Sequence, residues 1–353
     1  MKTIKPLSTS FVDSDRRAFL KLSGLLGLGL ATSAVIPCTA EAVSFNREFQ
    51  KVSRTKLAMG TVVSMTLIHP SQDQAEEAIG RAFEEIDRLS ALMNRFDNGS
   101  AITCLNRDAY LNDLSFEVAE VISRGLYYYK LSGGIFDISV KPIIDLFNKE
   151  LTDKKKIIPA DLKISPILKL IGSNKIELKG RSIRFKRQGM GITLDGIAKG
   201  YIVDCASEIL SSYKIKNHLI NAGGDIRTSG KNISKKPWTV AIQDPQKNRQ
   251  YPCIITLTNG AIATSGNYEI YFDREKMFHH IINPKNGLSP DLNISVSVIA
   301  KSAMDADALS TSVFVMPSLQ GAKFIDSIPG CESLVMTKKG RLFQSNGWNK
   351  LTA

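Results

Sequence analysis

Cysteine is sparse in this chain, 5 among 353 residues, and no two form a C-x-x-C or C-x-x-C-H motif. A disulfide scaffold, a zinc ribbon and a c-type haem site are thereby excluded. Glycine (25) and proline (13) are too few for a collagen-like chain. Long apolar runs are missing apart from one uncharged stretch near the N-terminus, which excludes a multi-span membrane protein. Familiar catalytic signatures are missing too: there is no G-x-S-x-G, no H-E-x-x-H and no EF-hand loop. Gly224 to Asn232 comes nearest to a phosphate-binding P-loop. One residue too many separates Gly224 from Gly230, and Asn232 follows Lys231 where Ser or Thr is required. What is present is ordinary: 43% hydrophobic and 23% charged residues, enough apolar material for a core and too much for dominant disorder.

The net charge is +12. Five basic against three acidic side chains in residues 1–42 leave +10 of it for residues 43–353. The basic residues are scattered, with short runs only at Lys154–Lys156 and Lys338–Lys339 and no interleaved aromatics. That describes a solvated basic surface rather than a nucleic-acid interface. Residues 14–21 read Ser-Asp-Arg-Arg-Ala-Phe-Leu-Lys, and the uncharged stretch Leu22 to Ala40 follows. Paired arginines before a mildly apolar segment resemble a twin-arginine export signal, with Ala40-Glu41-Ala42 as its cleavage site. Gly24, Gly27, Gly29 and Pro37 argue against a membrane anchor helix, and Val35-Ile36-Pro37 before Cys38 is no standard lipobox. The expectation is a bacterial, periplasmic protein with a signal segment at 1–42 and a single domain at 43–353. Membrane contact would come only through the signal segment, if it is retained, or through a partner.

The remaining chain mixes helical and strand patterns without a regular βαβ period, which predicts an α+β or irregular α/β fold with mainly antiparallel sheets. Residues 73–93 place Ala75, Ala78, Ile79, Ala82, Phe83, Ile86, Leu89 and Leu92 on one helical face. Further helices are predicted after Ser115, at 197–213 and at 303–315. A polar, lysine-rich segment, 148–165, reads as an exposed connection. Strands are predicted at 60–68, 218–222, 238–243, 253–258, 269–272, 279–283 and 294–300, with hairpins around Gly180 and Gly340. Cys104, Cys205, Cys253 and Cys331 are too widely spaced to choose between disulfides and free thiols.

Several constellations carry chemical potential. His279 and His280 are adjacent, so along a strand one faces a site while the other packs. Asp307 and Thr311 stand four apart on a predicted helix, where a carboxylate and a hydroxyl on one face suit a hard cation. Lys199 lies in the first turn of another helix, whose free N–H groups would suit a phosphate. Asn221-Ala222-Gly223-Gly224-Asp225 reads equally as a close approach to a ligand or as a tight loop.

Taken in order, these segments resemble the ApbE family, the FAD:protein FMN transferases. The resemblance begins at Met59-Gly60-Thr61 and runs through Phe96…Ser100…Leu105-Asn106 and Ser132-Gly133-Gly134-Ile135-Phe136-Asp137. It continues through Gly196-Ile197-Ala198-Lys199-Gly200-Tyr201, Asn221–Asp225 and Thr264-Ser265-Gly266. It ends with His280-Ile281-Ile282-Asn283-Pro284 and Ala306-Asp307-Ala308-Leu309-Ser310-Thr311. Each motif is weak and the ordered set is specific.

The resemblance implies an enzyme that binds FAD with Mg2+, cuts its pyrophosphate, and moves FMN onto a threonine of an acceptor flavoprotein, releasing AMP. The acceptor would carry a Ser/Thr-containing flavinylation motif. Met59, Phe96, Ile135, Phe136, Asp137, Lys199 and Ile281 match positions that line the FAD site. Asp307 and Thr311, with the carbonyl of Gly196, match metal ligands. Two departures stand out. Thr193 occupies a position where many members have an acid, and Asp195 one where many have a small residue, so either Thr193 or Asp195 meets the nucleotide. Phe96 replaces a frequent Tyr. His280, with an imidazole that titrates near neutrality, is the expected base toward the threonine hydroxyl. A periplasmic FAD pyrophosphatase and a non-catalytic FAD-binding or delivery protein are the alternatives to be distinguished.

Overall fold

The computed structural model describes residues 49–151, 163–245, 251–267 and 279–352. The expected signal segment, the expected strand 269–272 and most of the connection 148–165 fall outside them. Eight strands form one sheet, every described pair antiparallel. Along the sheet they lie in the order β1 (Gln50–Ala58), β2 (Thr61–His69), β6 (Asn217–Ala222), β7 (Asp225–Ser229), β10 (Gly260–Gly266), β11 (Asn293–Ala300), β12 (Glu332–Thr337) and β13 (Leu342–Gln344). The described helices are α1 (Gln72–Met93), α2 (Ala101–Asp108), α3 (Phe116–Leu131), α4 (Lys141–Leu151), α5 (Ile164–Leu168), α6 (Ala198–Ser212), α7 (Ala303–Val315) and α8 (Ser318–Asp326), of which α1, α6, α7 and α8 pack on one face of the sheet. A short three-stranded sheet holds β3 (Tyr110–Leu111), β5 (Ser182–Phe185) and β4 (Ile176–Lys179). The ribbon β8 (Trp238–Ile242) with β9 (Cys253–Leu257) covers the other face of the main sheet.

Strand alternation builds the two layers. In β10 and β11, Ala261, Ala263, Val296, Val298 and Ala300 join the core under the helices, while Ile262 and Ile299 point to the ribbon and meet Val240, Ile255 and Trp348. Helix α1 shows the expected amphipathic pattern. Ser71 caps it by accepting the Gln74 N–H at 3.2 Å, and Ala75, Ala78, Ile79, Ala82, Phe83, Ile86 and Leu89 are buried. Met93 rather than Leu92 closes that face. Helix α7 is different: it is buried on nearly all sides, because it lies between the sheet and α6.

Some expectations needed correction. Residues 279–283 form no regular strand, only isolated bridges, of which Asn283 pairs with Leu288. The predicted turn there is present, with the Gly287 N–H donating to the Asn283 carbonyl at 2.8 Å. Strand β1 escaped the sequence pattern because it is an exposed edge with one buried side chain, Val52. All four described cysteines are free thiols. No helix among the described residues is long and apolar enough to cross a membrane.

His218 on β6 is wholly buried and serves the fold. Its Nε2 lies 2.7 Å from Ser207 Oγ and its Nδ1 donates to the Ile215 carbonyl at 3.0 Å. Burial pushes its pKa down from 6.5 to about 4. Between those values the unfolded chain binds a proton that the folded protein refuses. Its contribution is fully present above pH 6.5 and is lost as pH falls, by up to about 3 kcal/mol. Urea unfolding of His218→Gln should therefore show a flatter dependence on pH between 7 and 4.5 than the parent; an unchanged slope would assign the dependence to other groups.

Candidate active site

One cleft gathers most of the residues singled out from the sequence. Its lining includes Ile135, Phe136 and Asp137 after α3, Thr193, Asp195 and Gly196 before α6, and Lys199 in the first turn of α6. Asp225 opens β7, Thr264 to Gly266 end β10, His280 to Ile282 follow, and Asp307 and Thr311 come from α7.

The floor is electrostatic. Asp307 is buried and its Oδ2 accepts the Gly200 N–H at 3.1 Å. Asp225, also buried, pairs with Lys199 at 3.2 Å. Desolvation first, and the neighbouring Asp225 second, push the Asp307 carboxyl well above the ordinary carboxylate range, against the pull of Lys199. Asp195 is half-exposed at the rim and pairs with Arg95 at 2.9 Å. Among the described residues, three carboxylates and two cations thus meet at this cleft. Two buried carboxylates held near each other are a setting that a bound cation would stabilise.

The expected ligand set fits such a cation. Asp307 and Thr311 lie one turn apart on α7. A Cβ on Gly196 would sit 3.1 Å from Thr311 Oγ1, so the backbone at Gly196 is packed directly on that side chain. Ser265 Oγ lies 2.8 Å from Ser310 Oγ and 3.3 Å from Thr311 Oγ1, and Ser310 Oγ donates to the Asp307 carbonyl at 2.9 Å. A carbonyl, a carboxylate and a hydroxyl are hard oxygen donors of the kind Mg2+ prefers. No cluster of three or more His, Cys, Asp or Glu side chains suited to a metal exists among the described residues.

Each expected residue has its place. Lys199, Thr193, Ile135, Phe136, Asp137, Ile281, Gly196, Asp307, Thr311 and His280 all line the cleft. His279 and His280 divide their roles as adjacency predicted. His279 is buried, its Nε2 donating to the Pro290 carbonyl at 2.9 Å and its ring edge-on to Phe314, while His280 is half-buried and faces the cleft. The oxygens of Asp137 are occupied inside the protein. They accept N–H and hydroxyl donors from Ser139 and Ser173, at distances from 2.6 to 3.3 Å. Burial raises the Asp137 carboxyl while those donors pull it down.

Two residues lie outside the lining. Met59 turns β1 into β2 with a positive φ of 53° and packs against the core. Phe96 is 75% exposed, with the Arg95 guanidinium 4.1 Å above its ring. Because Arg95 also holds Asp195, Phe96 is connected to the rim. The free N–H groups expected at the start of α6 are partly committed: Ala198 donates to Leu194 and Gly200 to Asp307. Gly223 and Gly224 make a two-residue hairpin turn with φ of 62° and 103°, which needs glycine and lies outside the described lining of this cleft. Their neighbour Asp225 is the part of that motif that lines the cleft. Asn106 clamps the Ile192 backbone, donating at 2.9 Å and accepting at 2.7 Å, and so holds the strand-like approach to Thr193. Sequence reasoning gave Asp225 no role and missed Arg95. Asp225 lay in view inside the Gly-Gly-Asp motif, whereas nothing local marks Arg95.

This α+β fold, with a lysine, a buried acid pair and hard oxygen donors in one cleft, defines an enzyme site suited to a phosphate-bearing ligand. Residues 59–335 match the sequence model of the ApbE family, and the chain belongs to that family. An FAD:protein FMN transferase of Haemophilus influenzae is 29% identical over 312 residues, covering 84% of this chain and 87% of that protein. One from Vibrio cholerae is 30% identical over 247 residues, covering 67% of this chain and 74% of its own length. Among solved structures, the ApbE protein of Thermotoga maritima superposes with a TM-score of 0.78 at 27% identity, over 86% of this chain and all of that one.

Proposed function

We propose that this protein is a Mg2+-dependent FAD:protein FMN transferase that acts in the periplasm after export by its twin-arginine signal. The observation that carries the reading is the convergence of Lys199, Gly196, Asp307 and Thr311 in one cleft that His280 faces. Gly196, Asp307 and Thr311 would hold Mg2+, which when bound neutralises pyrophosphate charge. Lys199 supplies a second positive charge from the start of α6. The apolar walls, Ile135, Phe136 and Ile281, exclude water from the flavin nucleotide.

The transfer balances simply. The acceptor threonine Oγ attacks the phosphorus on the FMN side of FAD, and the bond from that phosphorus to the bridging oxygen breaks. AMP leaves with the bridging oxygen, and the hydroxyl proton passes to a ring nitrogen of His280. The products are an FMN–threonine phosphoester and AMP.

The test is mass spectrometry of an acceptor peptide, carrying a Ser/Thr-containing flavinylation motif, incubated with the protein, FAD and Mg2+. A gain of one FMN on threonine, abolished by EDTA, is expected. Free FMN and AMP beside an unmodified peptide would identify an FAD pyrophosphatase, and intact bound FAD a binding protein. His280→Ala should lower the transfer rate by about 10² to 10⁴ while FAD affinity, followed by flavin fluorescence, holds within about threefold. Parallel loss of both would remove His280 as the base.

A further inference from the structure

The three charged groups on the cleft floor come from three elements: Lys199 from α6, Asp225 from β7 and Asp307 from α7. Behind them, a single carboxylate joins the same three elements. Asp204 lies on α6, one turn beyond Gly200 and on its face. Its Oδ1 accepts the Ala303 N–H and its Oδ2 the Met304 N–H, both at 2.9 Å. These are first-turn amides of α7, and the helix's own cap, Ser302, serves another, Asp305, at 3.1 Å. From β7, Arg227 brings its Nε to 3.6 Å from Asp204 Oδ1 and donates through a second nitrogen to the Lys301 carbonyl. Arg227 is two residues from Asp225 on the same strand face. Gly200 completes the joint, since its N–H bonds Asp307 directly.

We propose that Asp204 is a positioning residue for the transfer reaction: its carboxylate fixes α6, β7 and the start of α7 in the arrangement that brings Lys199, Asp225 and Asp307 together. The proposal rests on the transferase reading of the cleft. A residue that merely capped α7 would add stability without tuning the cleft. Asp204 instead holds two elements that carry cleft charges to the start of the third, so a small slip there displaces groups that must act together.

The test compares Asp204→Asn with Arg124→Met in the whole chain. Arg124, on α3, binds Asp305 at 2.5 Å and so supports the start of α7, and its hydrogen bonds among the described residues go to Asp305 and Tyr128. Four readouts are taken: AMP release from FAD with acceptor, Mn2+ affinity from the free-ion EPR signal, FAD affinity from flavin fluorescence, and stability in urea. Asp204→Asn should lower the kcat for AMP release and weaken Mn2+ binding by about tenfold or more, with FAD affinity changed by less than about threefold. Arg124→Met should lose stability and keep kcat and Mn2+ affinity. Full kcat and Mn2+ affinity in Asp204→Asn, or losses in both variants that track stability, would overturn the proposal. A parent that binds Mn2+ but releases no AMP sinks the transferase reading alone, and Mn2+ affinity then decides the role of Asp204. A parent that neither binds Mn2+ nor releases AMP overturns both.

Discussion

Asp307→Asn should abolish FMN transfer while leaving the metal-free protein as stable as its parent, or more so. The two halves of that expectation have one cause. Asp307 is buried near Asp225, and desolvation, with that neighbouring carboxylate, drives its carboxyl toward the neutral form. An amide of the same shape removes a buried charge that the fold does not need. It still offers an oxygen to the Gly200 N–H, so the α6–α7 contact survives. Binding of a hard cation, by contrast, depends on that charge. Transfer should fall by at least about a hundredfold, and the rise in Tm expected when Mg2+ is added to the parent should be absent. Melting curves with and without Mg2+, beside the acceptor mass assay, read both halves. A variant that keeps its Mg2+-induced rise would place the metal elsewhere, and one that loses several degrees without metal would make Asp307 a structural residue.

Gly200→Ala should be among the most destabilising single-methyl additions in the chain. In an exposed helix this change would stabilise by about 1 kcal/mol. Here the new Cβ would lie 2.3 Å from the Ala303 carbonyl oxygen, 2.5 Å from its carbon and 2.7 Å from Met304 Cα. All three are backbone atoms, so no rotamer change relieves the clash and the helices must part. Parting them breaks the Gly200–Asp307 bond and strains the Asp204 cap on Ala303 and Met304. A net loss of about 2–4 kcal/mol is expected in urea unfolding, with transfer reduced in the fraction that stays folded. A stability equal to the parent's would show that α6 and α7 are free to separate.

Much of the fold was legible because it follows local rules. The 3.6-residue period placed α1, and α7 spans the predicted 303–315. The glycine-centred hairpins 176–185 and 333–344 also formed, as β4–β5 and β12–β13. Elements that escaped notice, such as β1, β7 and β10, are an exposed edge, a short strand with Asp and Arg in it, and a run of small residues. Their pairing energy lies in neighbours distant in sequence, so no local pattern announces them. The adjacent histidines were read correctly as one packed and one facing a cleft, yet for the wrong geometry, since 279–283 is not a regular strand.

The sequence by itself determined which chemical groups the protein owns and in what order: a lysine at a helix start, an acid and a hydroxyl one turn apart, a pair of histidines, glycines where φ must be positive. Those are properties of residue type and short spacing, and they suffice for the fold class and for the family resemblance. Only the tertiary structure decided that Asp225 pairs with Lys199, that Arg95 ties Phe96 to the rim, and that Asp204 joins three elements behind the floor. Each of those facts depends on helices α6 and α7 meeting closely enough for Gly200 to touch backbone, or on strands and loops far apart in sequence converging. Electrostatic energies depend on distance and burial, and a linear sequence carries neither.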